Sequence, residues 1–255
     1  MKTDLVQIHH SAYQQDIPYW VSLVKECDPV LEVGCGHGRV TLPLLHSGRQ
    51  VVGVDQDPSA LDYLRERLRD LPDPIQTSIV LAEIDFLQFQ TLESFGAVII
   101  PCNTVSTFSR DGRTELFQKT YSILREGGLL AASLPNPLQM YTQLKELGEE
   151  GDLSELEMET IFHHPETGFP VQVSSRIAKV PGEPAALRWD WIYDLLSPDG
   201  RVERKTVATV HYPVLADTYR EELSRAGFQS IEFLGDFDGS RYQEDSPYLI
   251  FTCRK

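Results

Sequence analysis

Glu32, Gly34, Gly36, Gly38 and Asp55 are the residues whose types and spacing point most directly to chemistry. They lie in VLEVGCGHGRVTLPLLHSGRQVVGVDQD, residues 30–57. Glycines at alternate positions give a turn whose backbone can take positive φ and approach a ligand closely, with no side chain in the way. Asp55 follows Gly34 by 21 positions, the spacing at which a carboxylate accepts both hydroxyls of a ribose in a strand-turn-helix-strand nucleotide site. The dinucleotide fingerprint G-x-G-x-x-G would need glycine at 39, where the chain has Arg39. Glu32, two residues before the first glycine, is also badly placed for a pyrophosphate seated on the following helix N-terminus. A cationic ligand with a ribose and no phosphate suits both acids.

These residues need a scaffold, and the surrounding pattern supplies one. Val30, Leu31 and Val33 predict a short apolar strand, and Val40, Leu42, Leu44 and Leu45 a helix stopped by Gly48. Val51, Val52 and Val54 then predict a second strand ending at Asp55. After it comes a helix capped by Asp57, with Pro58 at its first position and Pro72 and Pro74 beyond its end. A third strand over 78–82 delivers Asp85 and Phe86 just past its carboxyl end, the edge at which open α/β sheets bind ligands. Residues 97–100 are wholly apolar, as a central parallel strand should be, and open into Pro101-Cys102-Asn103-Thr104-Val105-Ser106. Leu116, Phe117, Thr120, Tyr121 and Leu124 mark a helix stopped by Gly127-Gly128, before a fifth strand over 129–134. A helix over 217–226 ends at Gly227, and strands over 228–234 and 248–253 follow. Joined without a helix, these last two can only be antiparallel neighbours.

The text E-V-G-C-G-H-G at 32–38 with the acid at Asp55 resembles the first motif of class I S-adenosylmethionine-dependent methyltransferases. The closing hairpin is likewise similar to the end of that fold. The resemblance implies an α/β protein: a seven-stranded, doubly wound, Rossmann-like sheet with an antiparallel last strand, plus a small antiparallel β insertion. It implies S-adenosylmethionine as cofactor and S-adenosylhomocysteine as product. The residues it assigns to the cofactor are Tyr19, Glu32, Gly34, Cys35, Gly36, Gly38, Arg39, Asp55, Gln56, Asp85, Phe86, Pro101 and Asn103. In such enzymes an acid at the place of Asp85 takes the adenine amino group, and the next residue, here Phe86, packs on the ring. Residues 101–106 lack the N-P-P-Y motif of adenine and glutamine methyltransferases and are similar to the Asn-Ser type loop of small-molecule N-methyltransferases, glycine and amino-sugar enzymes among them. GDFDGSRYQEDSP, residues 235–247, looks like the C-terminal loop of the same group. The implied reaction is in-line displacement at a methyl carbon onto a small, nitrogen-bearing acceptor, which needs alignment and desolvation but no metal and no covalent intermediate. Asn103 either holds substrate or cofactor through its amide or caps the next turn.

The period changes past residue 148. GEEGDLSELEMET, residues 148–160, reads as an exposed acidic connection, and 160–212 alternates as an antiparallel meander with turns at 181–184 and 197–200. The expected organisation is a cofactor-binding core over 1–148 and 213–255, with an insertion over 149–212 acting as substrate cover. Leu187, Trp189, Trp191, Tyr193 and Leu195 share one face of a strand, which either packs onto the main domain or walls the acceptor. Arg176, Trp191, Tyr193 and Tyr212, with Tyr13 from the leader, form the candidate substrate set; Asn103, His211 and Tyr193 form the candidate catalytic set. His164 and His211 are base candidates on residue type alone, and an amine arriving deprotonated needs neither. In the leader, Tyr13, Ile17, Trp20, Val21 and Val24 recur at helical spacing and predict an amphipathic helix running into the first strand. His9 and His10, a pair in a polar stretch, need no metal to explain them.

Composition limits the partners. The net charge of −15, from 38 acidic and 23 basic side chains, repels phosphate backbones and anionic membrane surfaces, which argues against a nucleic acid substrate. Cys27, Cys35, Cys102 and Cys253 contain no C-x-x-C pair and read as reduced thiols of a cytoplasmic protein. Residues 1–20 are polar and no apolar run approaches the length of a membrane span, so neither a secretion signal nor a membrane anchor is expected. The oligomeric state is left open. Two other functions stay in play: a nicotinamide-dependent oxidoreductase, and a cofactor-binding partner protein without chemistry of its own.

Overall fold

The computed structural model describes residues 5–147 and 153–255. In chain order the elements are α1 (Leu5–Ser11), α2 (Ile17–Leu23), β1 (Val30–Val33), α3 (Thr41–His46), β2 (Val51–Asp55), α4 (Pro58–Arg69), α5 (Asp73–Gln76), β3 (Ile79–Glu83), β4 (Phe95–Ile100), α6 (Arg110–Ile123), β5 (Leu124–Pro135), α7 (Pro137–Glu146), β6 (Glu157–His163), β7 (Pro170–Val180), β8 (Glu183–Leu196), β9 (Val202–His211), α8 (Ala216–Ala226), β10 (Gln229–Leu234) and β11 (Tyr248–Arg254). The chain divides into two compact units, one of residues 14–138 and 214–255, the other of residues 1–13 and 139–213.

The larger unit is built on a seven-stranded sheet in the order β10-β11-β5-β4-β1-β2-β3. β1 to β5 pair in parallel, whereas β11 pairs antiparallel with both β5 and β10, as its lack of a crossover helix demands. Strand residues alternate between two cores. Leu31, Val33, Val52, Val54, Val98 and Ile100 point to the face covered by α6 and α8. Val30, Val51, Ala97 and Ile99 point to the face covered by α2, α3 and α4. Both faces are covered, which is why these strands read as continuous apolar runs rather than as alternation. β1 sits between β2 and β4, so the chain reverses its direction of winding there, and the crevice outside the carboxyl ends of β1 and β4 is where such sheets take ligands.

Two expectations need correction. The leader is not one helix: α1 ends at Ser11 and α2 starts at Ile17 with proline in its first turn, so Tyr13 lies outside both. Gly127-Gly128 does not stop a helix either. α6 already ends at Ile123, and the glycine pair lies inside β5, where the pairing jumps from Phe95 opposite Leu124 to Ala97 opposite Leu129 and Gly127 takes φ 72°. The extra residues of β5 bulge at this jump, and glycine supplies the conformation the bulge requires.

The smaller unit holds a four-stranded meander in the order β6-β7-β8-β9, antiparallel throughout. The α1 residues Leu5, Val6 and Ile8 pack with Val171, Val173, Tyr193 and Trp191, while the α7 residues Met140 and Leu144, with Leu147, pack with Ile177, Leu187 and Trp189. The aromatic face of β8 is therefore covered by two helices of its own unit. The expected boundary at 148/149 and part of the acidic connection, residues 148–152, lie outside the described residues; residues 139–147 and the leader to Tyr13 group with the meander.

At the carboxyl edge of the large sheet the loop 235–247 is held by one side chain. Asn136 Nδ2 donates to the carbonyls of Glu244 (2.9 Å) and Ser246 (2.8 Å), while its Oδ1 accepts from Leu138 N (3.0 Å) and Tyr242 Oη (2.8 Å). All four hydrogen-bonding positions of the amide are used and the residue is wholly buried. Asn136→Asp would set two carboxylate lone pairs against two carbonyls; the expected cost is about 2–3 kcal/mol, read as a lower urea midpoint with unchanged m.

Candidate cofactor site

The glycine turn is built by its neighbours. Gly34 N and Cys35 N both donate to Val54 O, at 2.8 and 3.2 Å, tying the turn to the end of β2. Gly34, Gly36 and Gly38 take φ of 74°, 50° and 81°, a region where any side chain is strained. A Cβ on Gly34 would sit 2.8 Å from the Thr104 side chain, and one on Gly38 would sit 2.4 Å from Leu64 Cδ1. Above Gly36 the space is open: only Asp55 Oδ2, at 3.9 Å, would come near an added Cβ. That opening, floored by backbone and bounded by a carboxylate, fits the ribose end of a nucleoside ligand. Asp55 is already oriented, since Oδ2 accepts from Gly36 N (2.7 Å) and Oδ1 from Asp57 N (2.9 Å), and each oxygen keeps a second lone pair for a hydroxyl.

Glu32 lies in β1 beneath the turn, 2% exposed, with Thr41 Oγ1 donating to its Oε2 at 2.7 Å. Burial pushes its carboxyl up to about 8; the Thr41 hydroxyl and Arg39 pull it back, and the nearby Asp55 and Asp16 push it further up. Cys35 is buried with its sulfur toward Gly53, so it offers a ligand only main chain. Its thiol is pushed up, by burial first and then by the charges of Glu32 and Asp55.

The carboxyl ends of four adjacent strands carry the candidate residues in a row: Asp85 after β3, Asp55 on β2, the glycines after β1, and Cys102 and Asn103 after β4. At about 4.8 Å between strands the row is about 14 Å long. Asp85 accepts from Leu87 N at 2.8 Å and caps the single turn Phe86–Gln88. Phe86 itself is 4% exposed, its ring stacked against Phe89 at 6.3 Å and part of the core. Its ring packs within the core. Pro101 is buried, while Gln56 is exposed.

Cys102 and Asn103 are two consecutive residues with left-handed backbone, φ 57° and 65°, at a cost of about 1–2 kcal/mol each. A residue that the sequence reading passed over holds both. Ser133 on β5 accepts Cys102 N on its Oγ (3.3 Å) and Asn103 N on its carbonyl (2.9 Å). The Asn103 amide oxygen in turn accepts from Ser106 Oγ at 2.5 Å. Cys102 is solvent-exposed yet closely surrounded by protein, and desolvation pushes its thiol up. Arg39 is gripped by Asp16, Nη1 on Oδ1 at 2.5 Å and Nη2 on Oδ2 at 2.7 Å, and Nη2 also touches Cys102 Sγ. Tyr19 packs against Trp20 and Phe237, with its hydroxyl buried and without a partner among the described residues; burial, helped by the charge of Glu232, pushes it up to about 12.

The remaining candidates fall in the smaller unit, and the structure separates them. Trp191, Tyr193 and His211 share one face of the meander and Arg176 lies on the other, because Ser175 pairs with Trp191 and Arg176 with Asp190; Tyr212 lies just past the end of β9. Tyr193 is 0% exposed and its hydroxyl meets His9 Nδ1 at 3.2 Å. Trp191 stacks on Trp189 at 5.5 Å and meets His9 edge-on at 5.1 Å. His211, 6% exposed, is pushed down to about 4 by burial. Arg176 and Arg188 both pair with the buried Asp190, at 3.2 and 2.8 Å. Tyr13 is half-buried and belongs to this unit, whereas Tyr19 belongs to the larger one.

Residues 30–128 match the model of the methyltransferase domain family. A protein of Geobacillus sp. (strain WCH70) named as a methyltransferase is 22% identical over 89% of this chain and 84% of its own. The structure of the CcbJ methyltransferase from Streptomyces caelestis superposes with a TM-score of 0.75 at 21% identity, covering 94% of this chain and 88% of that one. That of CalS10 with S-adenosylmethionine bound, an amino pentose methyltransferase from Micromonospora echinaspora, superposes with a TM-score of 0.69 at 16% identity, covering 100% and 98%. Among the described residues no helix is long and apolar enough to cross a membrane. With the glycine turn, the acid at the end of β2 and the antiparallel closing strand, these matches say what the sheet carries: residues 30–128 match a methyltransferase domain, and the chain shares the fold of methyltransferases of known structure.

Proposed function

We propose that the chain moves a methyl group from S-adenosylmethionine to a nitrogen of a small molecule. The cofactor, when bound, supplies an electrophilic methyl carbon on a sulfonium. Asp55 would hold its ribose, Asp85 and the Phe86 main chain its adenine, and Glu32 and Arg39 its amino-acid end, with the Cys102-Asn103 turn facing the transferred group. Small size of the acceptor is supported by the net charge of −15, which disfavours nucleic acid, and by the fold shared with an amino pentose methyltransferase. Acceptor choice is assigned to the four-stranded unit, which lies outside the cofactor fold.

One observation carries the choice of nitrogen. A hydroxyl acceptor needs a free base, and neither candidate histidine is set up as one: His211 is buried and pushed down to about 4, and His164 Nδ1 holds its own turn by accepting from Glu166 N (3.3 Å) and Thr167 N (3.4 Å). An amine that arrives neutral needs only alignment. The test is a small-molecule extract incubated with methyl-labelled cofactor, followed by identification of the labelled product. The expected product carries the label on nitrogen, with a single-turnover rate that follows the acceptor's own ionisation and is unchanged by His211→Gln. Label on an oxygen, with a rate that collapses in His211→Gln, contradicts the proposal.

A further inference from the structure

Asp16 is the most heavily engaged carboxylate near the cleft, and no motif announces it. It is 1% exposed, precedes α2, and accepts Trp20 Nε1 at 3.0 Å as well as both terminal nitrogens of Arg39. A guanidinium bound end-on by a carboxylate has its plane fixed, which a long flexible side chain at a cleft otherwise lacks. The indole N–H fixes the carboxylate in turn, so the orientation of Arg39 is set from the core of α2 outward. Arg39 follows Gly38 directly, and its Nη2 reaches across to Cys102 Sγ beyond β4. It therefore spans the two strand ends, β1 and β4, farthest from the adenine acid Asp85 on this row. A ligand laid with adenine at β3 and ribose at β2 brings its amino-acid carboxylate to that end. A thiol is a weak hydrogen-bond acceptor, so a carboxylate would take over the Nη2 donor that now meets sulfur.

We propose that Asp16 is a positioning residue that aims Arg39 at the carboxylate of the cofactor's amino-acid end, and so selects whole S-adenosyl amino acids over nucleosides that lack this group. The proposal rests on the reading of the cleft as an S-adenosylmethionine site. Its test is calorimetric titration of two ligands, S-adenosylhomocysteine and 5′-methylthioadenosine, which share adenine, ribose and sulfur but differ in the amino-acid tail. Asp16→Asn is expected to weaken S-adenosylhomocysteine about tenfold or more and to leave methylthioadenosine within about twofold. In an Arg39→Gln background the same change should cost S-adenosylhomocysteine almost nothing further, because the effect runs through Arg39. Asp16→Glu, which keeps the charge but displaces it, should give an intermediate ratio, and the ratio of the two affinities is insensitive to a general loss of folded protein. Equal weakening of both ligands, or a full tenfold loss that persists without Arg39, overturns the proposal. Wild-type protein that binds methylthioadenosine and S-adenosylhomocysteine equally well also overturns it, whereas wild-type protein that binds neither refutes the reading of the cleft.

Discussion

Asp55→Ala is expected to weaken S-adenosylhomocysteine binding by about 100- to 1,000-fold while the protein stays folded. Two hydroxyls donating to one carboxylate are worth about 1.5–3 kcal/mol each when partly shielded from water, so their joint loss reaches that range. The carboxylate also organises its own surroundings. Gly36 N and Asp57 N both lose their acceptor in the variant, and the open space over Gly36 loses the group that bounds it. Since Asp55 is only half-buried at the end of β2, the cost to folding should be about 1–2 kcal/mol, well below the cost to binding. Calorimetry with parallel thermal melts separates the two. Binding that falls only as far as stability does would remove Asp55 from the site.

The second large effect is on pH. Glu32 in the free protein is pushed up to about 8, chiefly by burial, and the charged groups facing it are Arg39 on the glycine turn, Asp55 on β2 and Asp16 before α2. Folding therefore favours its protonated form. The stability linked to this proton is fully present below the ordinary carboxyl value near 4.5 and is lost as pH rises through about 8. An ammonium or sulfonium near Glu32 reverses the preference, so binding the cofactor should expel the proton. Affinity is then expected to climb between pH 6 and pH 8, with a limiting slope of about tenfold per unit for one proton released. The ligand should also flatten the fall in melting temperature over the same window. Glu32→Gln, neutral at every pH, should abolish both the slope and the buffer-dependent heat of proton release. A slope that survives in Glu32→Gln assigns the proton elsewhere.

Most of the cofactor fold was legible because it is written locally. Apolar runs flanked by Gly and Pro mark β1 to β4, and the spacing from Gly34 to Asp55 is the length of one strand-turn-helix-strand unit. What stayed hidden depends on register and on distant pairs. Ser133 reads as a small residue in an apolar strand, and only the pairing of β5 with β4 brings it under Cys102 and Asn103. Asp16 and Arg39 are 23 positions apart with nothing in either neighbourhood to join them. Arg176 and Trp191 looked like parts of one pocket, yet the pairing of β7 with β8 sends them to opposite faces of the meander. The burial of Phe86 stayed hidden for another reason: a large apolar side chain gains by entering the core, and residue type does not say which side of the strand end it takes. Tyr193 shows the same limit, since an aromatic stripe fits a binding wall and a helix-packing face equally well until α1 is seen to cover it.

The site at the ends of β1, β2 and β4 is expected to hold an S-adenosyl cofactor and not a dinucleotide. Calorimetric titration of the purified wild-type chain with S-adenosylhomocysteine and, separately, with NADH tests it most directly. One-site binding of S-adenosylhomocysteine in the micromolar range, displaced by S-adenosylmethionine, is expected, with no heat from NADH at the same concentrations, because Glu32 lies under the turn where a pyrophosphate would sit. Saturable NADH binding with none for S-adenosylhomocysteine would contradict it.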